Sequence, residues 1–425
     1  MERQRTMNGR VVVPGDKSIS HRAVMLASLA DGASRIRGFL EAGDTGRSVA
    51  MMRSLGTQIE ETCPTELRVT GLGLRGFSQP EGVLDAGNSG TTLRIGAGLL
   101  AAQGFTTVVT GDASLRRRPM DRIIEPLERM GARVTGDGGL PFPPLSITGG
   151  RLGPIRYEPR MASAQVKSSV LLAGLFTSGP TTVVEPLPTR DHTERMLRAM
   201  GVRVESEGQE VTVHPPKSLT PLDIQVPGDF SAAAFFLVAA AVPGSELTLA
   251  GVGVNPLRIG LLRTLRKMGA DIRLESERVM GGEPVADIHV TGRTLVGTDV
   301  GPEEVPALVD EVPALCVAGA LAGGRTRITG AAELRVKESD RIGAMVAALA
   351  ALGVPCGEYP DGLWLEGPAR IRDGQSLDTR GDHRIAMALR VLAASTGTVM
   401  ELSDTACVDT SFPGFEKTLA SVVDR

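Results

Sequence analysis

Aromatic side chains are scarce: ten Phe, two Tyr and one Trp make up 3% of 425 residues. A repeat scaffold that recognises partners through exposed aromatic anchors is therefore disfavoured, and helices in such a core pack through Ala and Gly. Net charge is also nearly absent, with 46 Lys+Arg against 49 Asp+Glu and a balance of −3. A nucleic-acid backbone binder needs a basic face, so nucleic acid is excluded as the main partner and any anion recognition has to be local. The longest apolar run, Phe230 to Val242, is interrupted by Ser231 and falls short of the roughly 20 residues of a membrane helix. The first residues, Met1-Glu2-Arg3-Gln4-Arg5-Thr6, lack the apolar segment of a signal peptide. Cysteines stand only at 63, 316, 356 and 407, without metal-type spacing. These absences predict a cytoplasmic protein with reduced thiols, no structural disulfide and no membrane partner.

What the chain does have is repetition. Val13-Pro14-Gly15-Asp16-Lys17-Ser18 and Val226-Pro227-Gly228-Asp229-Phe230-Ser231 read alike and lie half a chain length apart. Each is followed by an Ala-rich apolar segment and then a glycine, Gly38 or Gly251, which points to a duplication. A finer pattern runs through both halves. An apolar face spaced by three and four ends in Leu-Gly or Met-Gly at Gly56, Gly131, Gly201, Gly269 and Gly353. A glycine there reads as the residue just past a helix, leading into a strand.

A second kind of helix recurs once per unit and opens on small or polar residues: Asp16-Lys17-Ser18, Asn88-Ser89-Gly90-Thr91, Ser163-Ala164-Gln165, Asp229-Phe230-Ser231, Asp310-Glu311 and Asp382-His383-Arg384. β-Branched strands such as Thr106-Thr107-Val108-Val109 and Thr181-Thr182-Val183-Val184 follow. The pattern predicts an α/β protein of six βαβαββ units, three to a domain: residues 14–226 form one domain, and residues 1–13 with 227–425 form the other. Helices this poor in polar residues are expected to be buried on most sides.

Equivalent helices pointing the same way gather their N-termini, where free N–H groups and the dipole favour anions. The cations sit at those starts: Lys17 and Arg22, Arg118 before Pro119, Lys337 and Arg341 bracketing Glu338, and Arg384. A lone Arg is most often a solvated surface cation. Cations recurring at one position of a repeat, beside Ser, Asn, Gln and Gly, point instead to a highly anionic ligand.

Pro14-Gly15-Asp16-Lys17-Ser18-Ile19-Ser20-His21-Arg22-Ala23 resembles the signature of the 5-enolpyruvylshikimate-3-phosphate (EPSP) synthase family. Gly87-Asn88-Ser89-Gly90-Thr91, Arg118-Pro119-Met120, Arg335-Val336-Lys337-Glu338-Ser339-Asp340-Arg341 and Gly381-Asp382-His383-Arg384 resemble further segments of the same family. The resemblance implies an inverse α/β barrel of the enolpyruvyl transferase kind in each domain, with the two domains closing on substrate. It implies transfer of the enolpyruvyl group of phosphoenolpyruvate to the 5-hydroxyl of shikimate 3-phosphate with release of phosphate, on the way to aromatic amino acids. No metal or organic cofactor is expected, and the protein is expected to act as a monomer. Each phosphate carries about −1.5 to −2, so the two substrates with their carboxylates bring roughly five or six negative charges, which calls for Lys, Arg and helix N-termini.

Carried over residue by residue, Lys17, Ser18, Arg22, Ser163, Gln165, Asp310 and Lys337 resemble the shikimate 3-phosphate binders. Lys17, Gly90, Arg118, Gln165, Arg341 and Arg384 resemble those of phosphoenolpyruvate, with Gly90 letting the ligand approach the backbone. Asp310 resembles the base that activates the hydroxyl, and Glu338 the group that protonates the methylene carbon. The plainer readings are helix caps for Asp310 and Ser163, an i,i+3 partner of Arg341 for Glu338, and a turn glycine for Gly90. The chain departs from many members at Ala164, where they have a second small polar residue, at Thr410, where some have a phosphate-binding Lys, at Glu333 and at His192. Arg190 carries over weakly.

The nearest alternative is the sister carboxyvinyltransferase acting on UDP-N-acetylglucosamine, whose mobile loop usually holds a reactive Cys; the segment Asp112 to Arg122 has none. An RNA 3′-phosphate cyclase is disfavoured by the near-neutral charge. A non-catalytic repeat scaffold leaves the paired carboxylates and the clustered Arg unexplained.

Overall fold

The computed structural model describes residues 5–424, which form two compact units. The first is Gly15–Val226 with Met280–Glu283; the second is the stretch up to Pro14, Pro227–Val279 and the chain from Pro284 onward. Pro14 thus groups with the second unit. Met280–Glu283 closes the hairpin of Asp271–Met280 and Glu283–Thr291 but groups with the first, where buried Glu283 takes His192 Nδ1 at 2.8 Å.

The first unit contains α1 (Lys17–Ser28), α2 (Gly43–Ser54), α3 (Gly90–Leu100), α4 (Asp121–Met130), α5 (Ala164–Gly174) and α6 (His192–Ala199). Its three sheets share one plan, a parallel pair continued by two antiparallel neighbours. The orders are Asp223–Gln225, Ala33–Arg37, Glu66–Thr70, Gln58–Cys63; then Leu84–Asp85, Thr106–Thr110, Leu145–Thr148, Arg133–Thr135; then Arg156–Tyr157, Thr181–Val184, Glu210–Val213, Val204–Glu207. The first sheet takes its leading strand from the end of the unit, so the three repeats close on themselves. Burial alternates along strands such as Ala33–Arg37, one face inward and one to solvent.

The second unit contains α7 (Phe230–Ala240), α8 (Gly260–Lys267), α9 (Val312–Leu321), α10 (Arg341–Ala351), α11 (His383–Thr396) and α12 (Phe415–Ala420). Its first sheet is led by Asn8–Val11, parallel to Glu246–Gly253, and its second is Asp299–Val300, Gly324–Ile328, Gly362–Gly367, Cys356–Tyr359. The sixth repeat is shorter than the βαβαββ copy expected from the pattern. Only Gln375–Leu377 and Met400–Leu402 pair there, and α12 ends near the C-terminus with no antiparallel hairpin after it among the described residues. In place of that hairpin, Phe412 packs tilted and Phe415 edge-on against Phe236, with ring centroids 5.9 and 5.8 Å away.

The helix boundaries follow the sequence signals. Gly56, Gly131, Gly201, Gly269 and Gly353 all have φ between 83° and 109° and end α2, α4, α6, α8 and α10. Side chains of Asp16, Ser89, Ser163, Asp229 and Asp382 cap α1, α3, α5, α7 and α11. Asp310 is different: it lies in a 3₁₀ turn, Val309–Glu311, and does not cap α9. Every residue of α7 is buried, as are nine of the ten in α9 from Val312 to Ala320, which is the all-round burial their composition implies. Helices come this close because small residues line the contacts. A Cβ on Gly98 of α3 would lie 2.2 Å from the Ser169 carbonyl on α5. Gly98→Ala is therefore expected to destabilise the protein by about 1–3 kcal/mol through overpacking, read from the urea unfolding midpoint; an unchanged midpoint contradicts this contact.

Candidate functional site

In the first unit the candidate residues lie on the starts of α1, α3 and α5. Asp16 Oδ1 accepts from Ile19 N at 2.8 Å and so sets the entry of α1. Lys17 pairs with Asp44 on α2, and Ser18 Oγ accepts from Arg190 Nη1 at 3.1 Å. Arg22, only 3% exposed, donates from Nε to Thr193 Oγ1 (2.8 Å), from Nη1 to the Ser18 carbonyl (2.9 Å) and from Nη2 to Ser168 Oγ (2.9 Å). Burial and the nearby Arg190 push its pKa down to about 10, against the pull of Glu194 and Asp16. Such a cation gains from an added anion more than a solvated one does.

Around α3 the constellation is equally local. Arg118 donates to the Asn88 carbonyl (3.2 Å), to Asn88 Oδ1 (2.7 Å) and to Ser114 Oγ (3.0 Å). Gln165 on α5 accepts from Arg94 Nη1 at 2.9 Å and donates to Thr91 Oγ1 at 3.0 Å. Gly90 is the first residue of α3, and a Cβ there would meet Arg94 Nη1 at 2.9 Å and Arg118 Nη1 at 3.5 Å. Ser163 acts as the cap of α5, its Oγ accepting from Val166 N at 3.4 Å. Lys17, Ser18, Gly90, Ser163 and Gln165 thus fall at helix starts of this unit and Arg118 reaches the start of α3 through Asn88, whereas Arg22 lies more than a turn into α1 and reaches back to the Ser18 carbonyl.

In the second unit Arg341, 1% exposed, is a hub. Its Nε donates to Asp382 Oδ2 (2.8 Å), and its Nη2 donates to Glu338 Oε2 (2.8 Å) and Asp382 Oδ1 (3.3 Å). Its Nη1 lies 3.5 Å from Asp310 Oδ1, which is also 3.9 Å from Lys337 Nζ. Arg384 Nη1 donates to the Asp310 carbonyl at 3.1 Å and Arg384 N to Asp382 Oδ1 at 2.9 Å. Asp310, Lys337, Glu338, Arg341 and Arg384 are therefore gathered, and the i,i+3 contact of Glu338 with Arg341 is present alongside. Burial disfavours the Arg341 charge, yet Asp382, Glu338 and Asp310 hold its proton more tightly than usual. Burial likewise works against the Asp382 carboxylate, yet Arg341 and His383 keep its pKa below the ordinary value.

Sequence reasoning missed several participants. Arg94 sits one turn beyond Gly90, a spacing from which a helix-face reading would have found it. The sequence did not single out Asp44, and marked Asp382 only as opening a helix; their pairing with Lys17 and Arg341 is visible only in three dimensions. Lys167 on α5 is 1% exposed and bonded to Glu185 (2.9 Å), Glu194 (2.7 Å) and the Thr189 carbonyl (3.1 Å), which fixes the loop carrying Arg190. No group of three or more His, Cys, Asp or Glu that could hold a metal ion occurs among the described residues. Among those residues no helix is long and apolar enough to cross a membrane.

Residues 1–419 match the family described as EPSP synthase (3-phosphoshikimate 1-carboxyvinyltransferase). The chain belongs to the EPSP synthase family. It is 52% identical over 426 residues to a 3-phosphoshikimate 1-carboxyvinyltransferase of Pelotomaculum thermopropionicum, with 99% of this chain and 98% of that protein covered. It is 48% identical over 418 residues to one of Alkaliphilus metalliredigens, covering 98% of each. An EPSP synthase structure from Acinetobacter baumannii superposes with a TM-score of 0.88 at 45% identity, covering 100% of this chain and 97% of that one. The enolpyruvyl transferase NikO of Streptomyces tendae, at 19% identity and a TM-score of 0.80 over 100% and 97% of the two chains, shares the fold.

The Arg341–Asp382 pair has a pH signature. Asp382 is depressed in the folded state, so its contribution is full above the unfolded carboxyl value of about 3.9 and is lost as pH falls through the folded value. Asp382→Asn is expected to cost about 3–5 kcal/mol at neutral pH. In urea unfolding the gap to the native protein should close below about pH 4; a gap that widens in acid contradicts the pairing.

Proposed function

We propose that this enzyme transfers the enolpyruvyl group of phosphoenolpyruvate to the 5-hydroxyl of shikimate 3-phosphate and releases inorganic phosphate. The observation that carries the reading is the Arg341 hub, where two carboxylates of different surroundings, Asp310 and Glu338, share one guanidinium with Lys337 and Arg384 nearby. Addition followed by elimination needs a base at the hydroxyl and an acid at the methylene carbon, then each in the opposite sense.

In the first half, the Asp310 carboxylate takes the proton of the 5-hydroxyl as its oxygen bonds to C2 of phosphoenolpyruvate. Glu338 gives a proton to C3, which becomes a methyl group. In the second half, Glu338 takes a proton back from that methyl group, the C2–C3 double bond re-forms, and the C2–O bond to phosphate breaks. Asp310 returns its proton to the departing phosphate, so both carboxyls end as they began.

For Glu338 to act as an acid it must first gain a proton, and its bond to Arg341 opposes that. A substrate carboxylate or phosphate taking the Arg341 Nη2 position would release Glu338 into the field of the bound anions, which raises its proton affinity. Arg118, Arg384, Lys17 and the start of α3 at Gly90 are assigned to phosphoenolpyruvate. Ser18, Arg22, Ser163, Gln165 and Lys337 are assigned to shikimate 3-phosphate, with Lys17 and Gln165 serving both. Arg22, its charge disfavoured by burial, is the residue that gains most from a phosphate dianion. We further read the enzyme as a cytoplasmic monomer, since one chain carries both sets of side chains; light scattering at the mass of one chain is the expected outcome.

Incubation with both substrates is expected to release phosphate, and UDP-N-acetylglucosamine is not expected to replace shikimate 3-phosphate; the opposite preference contradicts the assignment. Glu338→Gln should lower kcat by about 100-fold or more while changing either KM far less, the pattern of a group acting on the transition state. Equal loss in kcat and in affinity would make Glu338 a binding residue.

A further inference from the structure

Four polar side chains that the proposed reaction does not use form an unbroken hydrogen-bonded row through the first unit. His21 Nδ1 on α1 lies 2.7 Å from Ser48 Oγ on α2, and Ser48 Oγ lies 2.8 Å from Thr92 Oγ1 on α3. Thr92 Oγ1 donates to Ser89 Oγ at 2.9 Å, the same oxygen that caps α3 by accepting from Thr92 N at 3.1 Å. His21, Ser48 and Thr92 are fully buried and Ser89 nearly so.

The direction of this row is fixed by counting hydrogens. A hydroxyl has one. Thr92 directs its hydrogen to Ser89, so Ser48 donates to Thr92. The Ser48 hydrogen is then committed, and the contact with His21 is a hydrogen bond only if Nδ1 carries the proton. Nε2 is left as the bare nitrogen, and it is buried with no partner among the described residues. The other tautomer would bury an unsatisfied N–H at Nε2 and also break the bond to Ser48. A second proton is opposed by burial and by Lys17 and Arg22 on the same helix, which hold the ring neutral.

We infer that His21 is a positioning residue: its neutral, Nδ1-protonated ring holds the start of α3, with Gly90, in place against the start of α1, with Lys17, Ser18 and Arg22. The consequence for catalysis rests on the reading of those two starts as substrate-binding; the tautomer does not.

The test has two arms. In two-bond ¹H–¹⁵N spectra of the ¹⁵N-histidine-labelled enzyme at pH 7, a histidine signal with a pyrrole-like Nδ1 and a pyridine-like Nε2 should vanish in His21→Asn, while the signal of His192, whose Nδ1 faces the Glu283 carboxylate, persists. An Nε2-protonated or imidazolium signal from His21 overturns the inference whatever the enzyme's substrate. In the kinetic arm, Asn places an amide nitrogen where Nδ1–H lies, and Gln places one where Nε2 lies. His21→Asn should keep the KM for phosphoenolpyruvate within about twofold, and His21→Gln should raise it by about tenfold, the worth of one buried hydrogen bond. Gln equal to or better than Asn overturns the positioning role. Ser48→Ala, which cuts the row in the middle, should match His21→Gln and stands in for it if that variant does not fold; an unchanged KM there also overturns the role. Wild-type enzyme inactive on the two substrates but showing the expected spectrum would overturn the reaction proposed above and leave the hydrogen-bonded row standing.

Discussion

A guanidinium cannot be taken out of water alone; the desolvation cost is several kcal/mol and has to be offset by carboxylates and well-placed acceptors. Arg341 meets that requirement through Asp382, Glu338 and Asp310, which come from three separate stretches of the second unit. Much else in that unit follows from it. Asp382 is at once the cap of α11 and the partner of Arg341, so one carboxylate ties the start of the helix carrying Arg384 to the residue that opens α10. Glu311, fully buried, is held by Arg258 through both carboxylate oxygens at 2.8 Å, which anchors the 3₁₀ turn bearing Asp310.

The first unit handles its cations differently. All three donor nitrogens of Arg22 go to neutral oxygens, from Thr193, Ser168 and the Ser18 backbone. Its charge is oriented without being cancelled at contact, and the depressed pKa is the mark of that. The carboxylates of Glu185 and Glu194 are instead drawn to Lys167. The two arrangements suit the two tasks in the proposed reaction: an oriented, under-compensated guanidinium favours a phosphate dianion, whereas carboxylates around a shared guanidinium can exchange protons as ligands come and go.

What the sequence made legible is what depends on short range. Helix caps, the glycine after the second helix of the first five repeats and the almost wholly apolar α7 are governed by interactions within a few residues, and their patterns survive in a single chain. The candidate residues at helix starts were legible for the same reason, because the repeat marks each start. The partners were not. Asp44 belongs to α2 and Asp382 caps α11, and neither neighbours in sequence the cation it holds, so the first went unmarked and the second showed only as the opening of its helix. The leading strands Asp223–Gln225 and Asn8–Val11 join sheets whose other members are distant in sequence, which no local periodicity encodes. The shortened sixth repeat leaves one trace in the sequence, since α12 runs into Ser421 where the other second helices end at a glycine; among the described residues its hairpin is missing, and Phe412 and Phe415 pack into the core.

The central claim is that an internal ion pair, Glu338 with Arg341, gives way to substrate and leaves Glu338 able to take up a proton. Calorimetric titration of phosphoenolpyruvate into an Asp310→Asn enzyme saturated with shikimate 3-phosphate, in buffers of differing ionisation enthalpy, measures protons taken up on binding without turnover. The account predicts uptake approaching one proton per site near neutral pH, abolished by adding Glu338→Gln. Binding with no proton uptake, or uptake that persists without the Glu338 carboxyl, would contradict it.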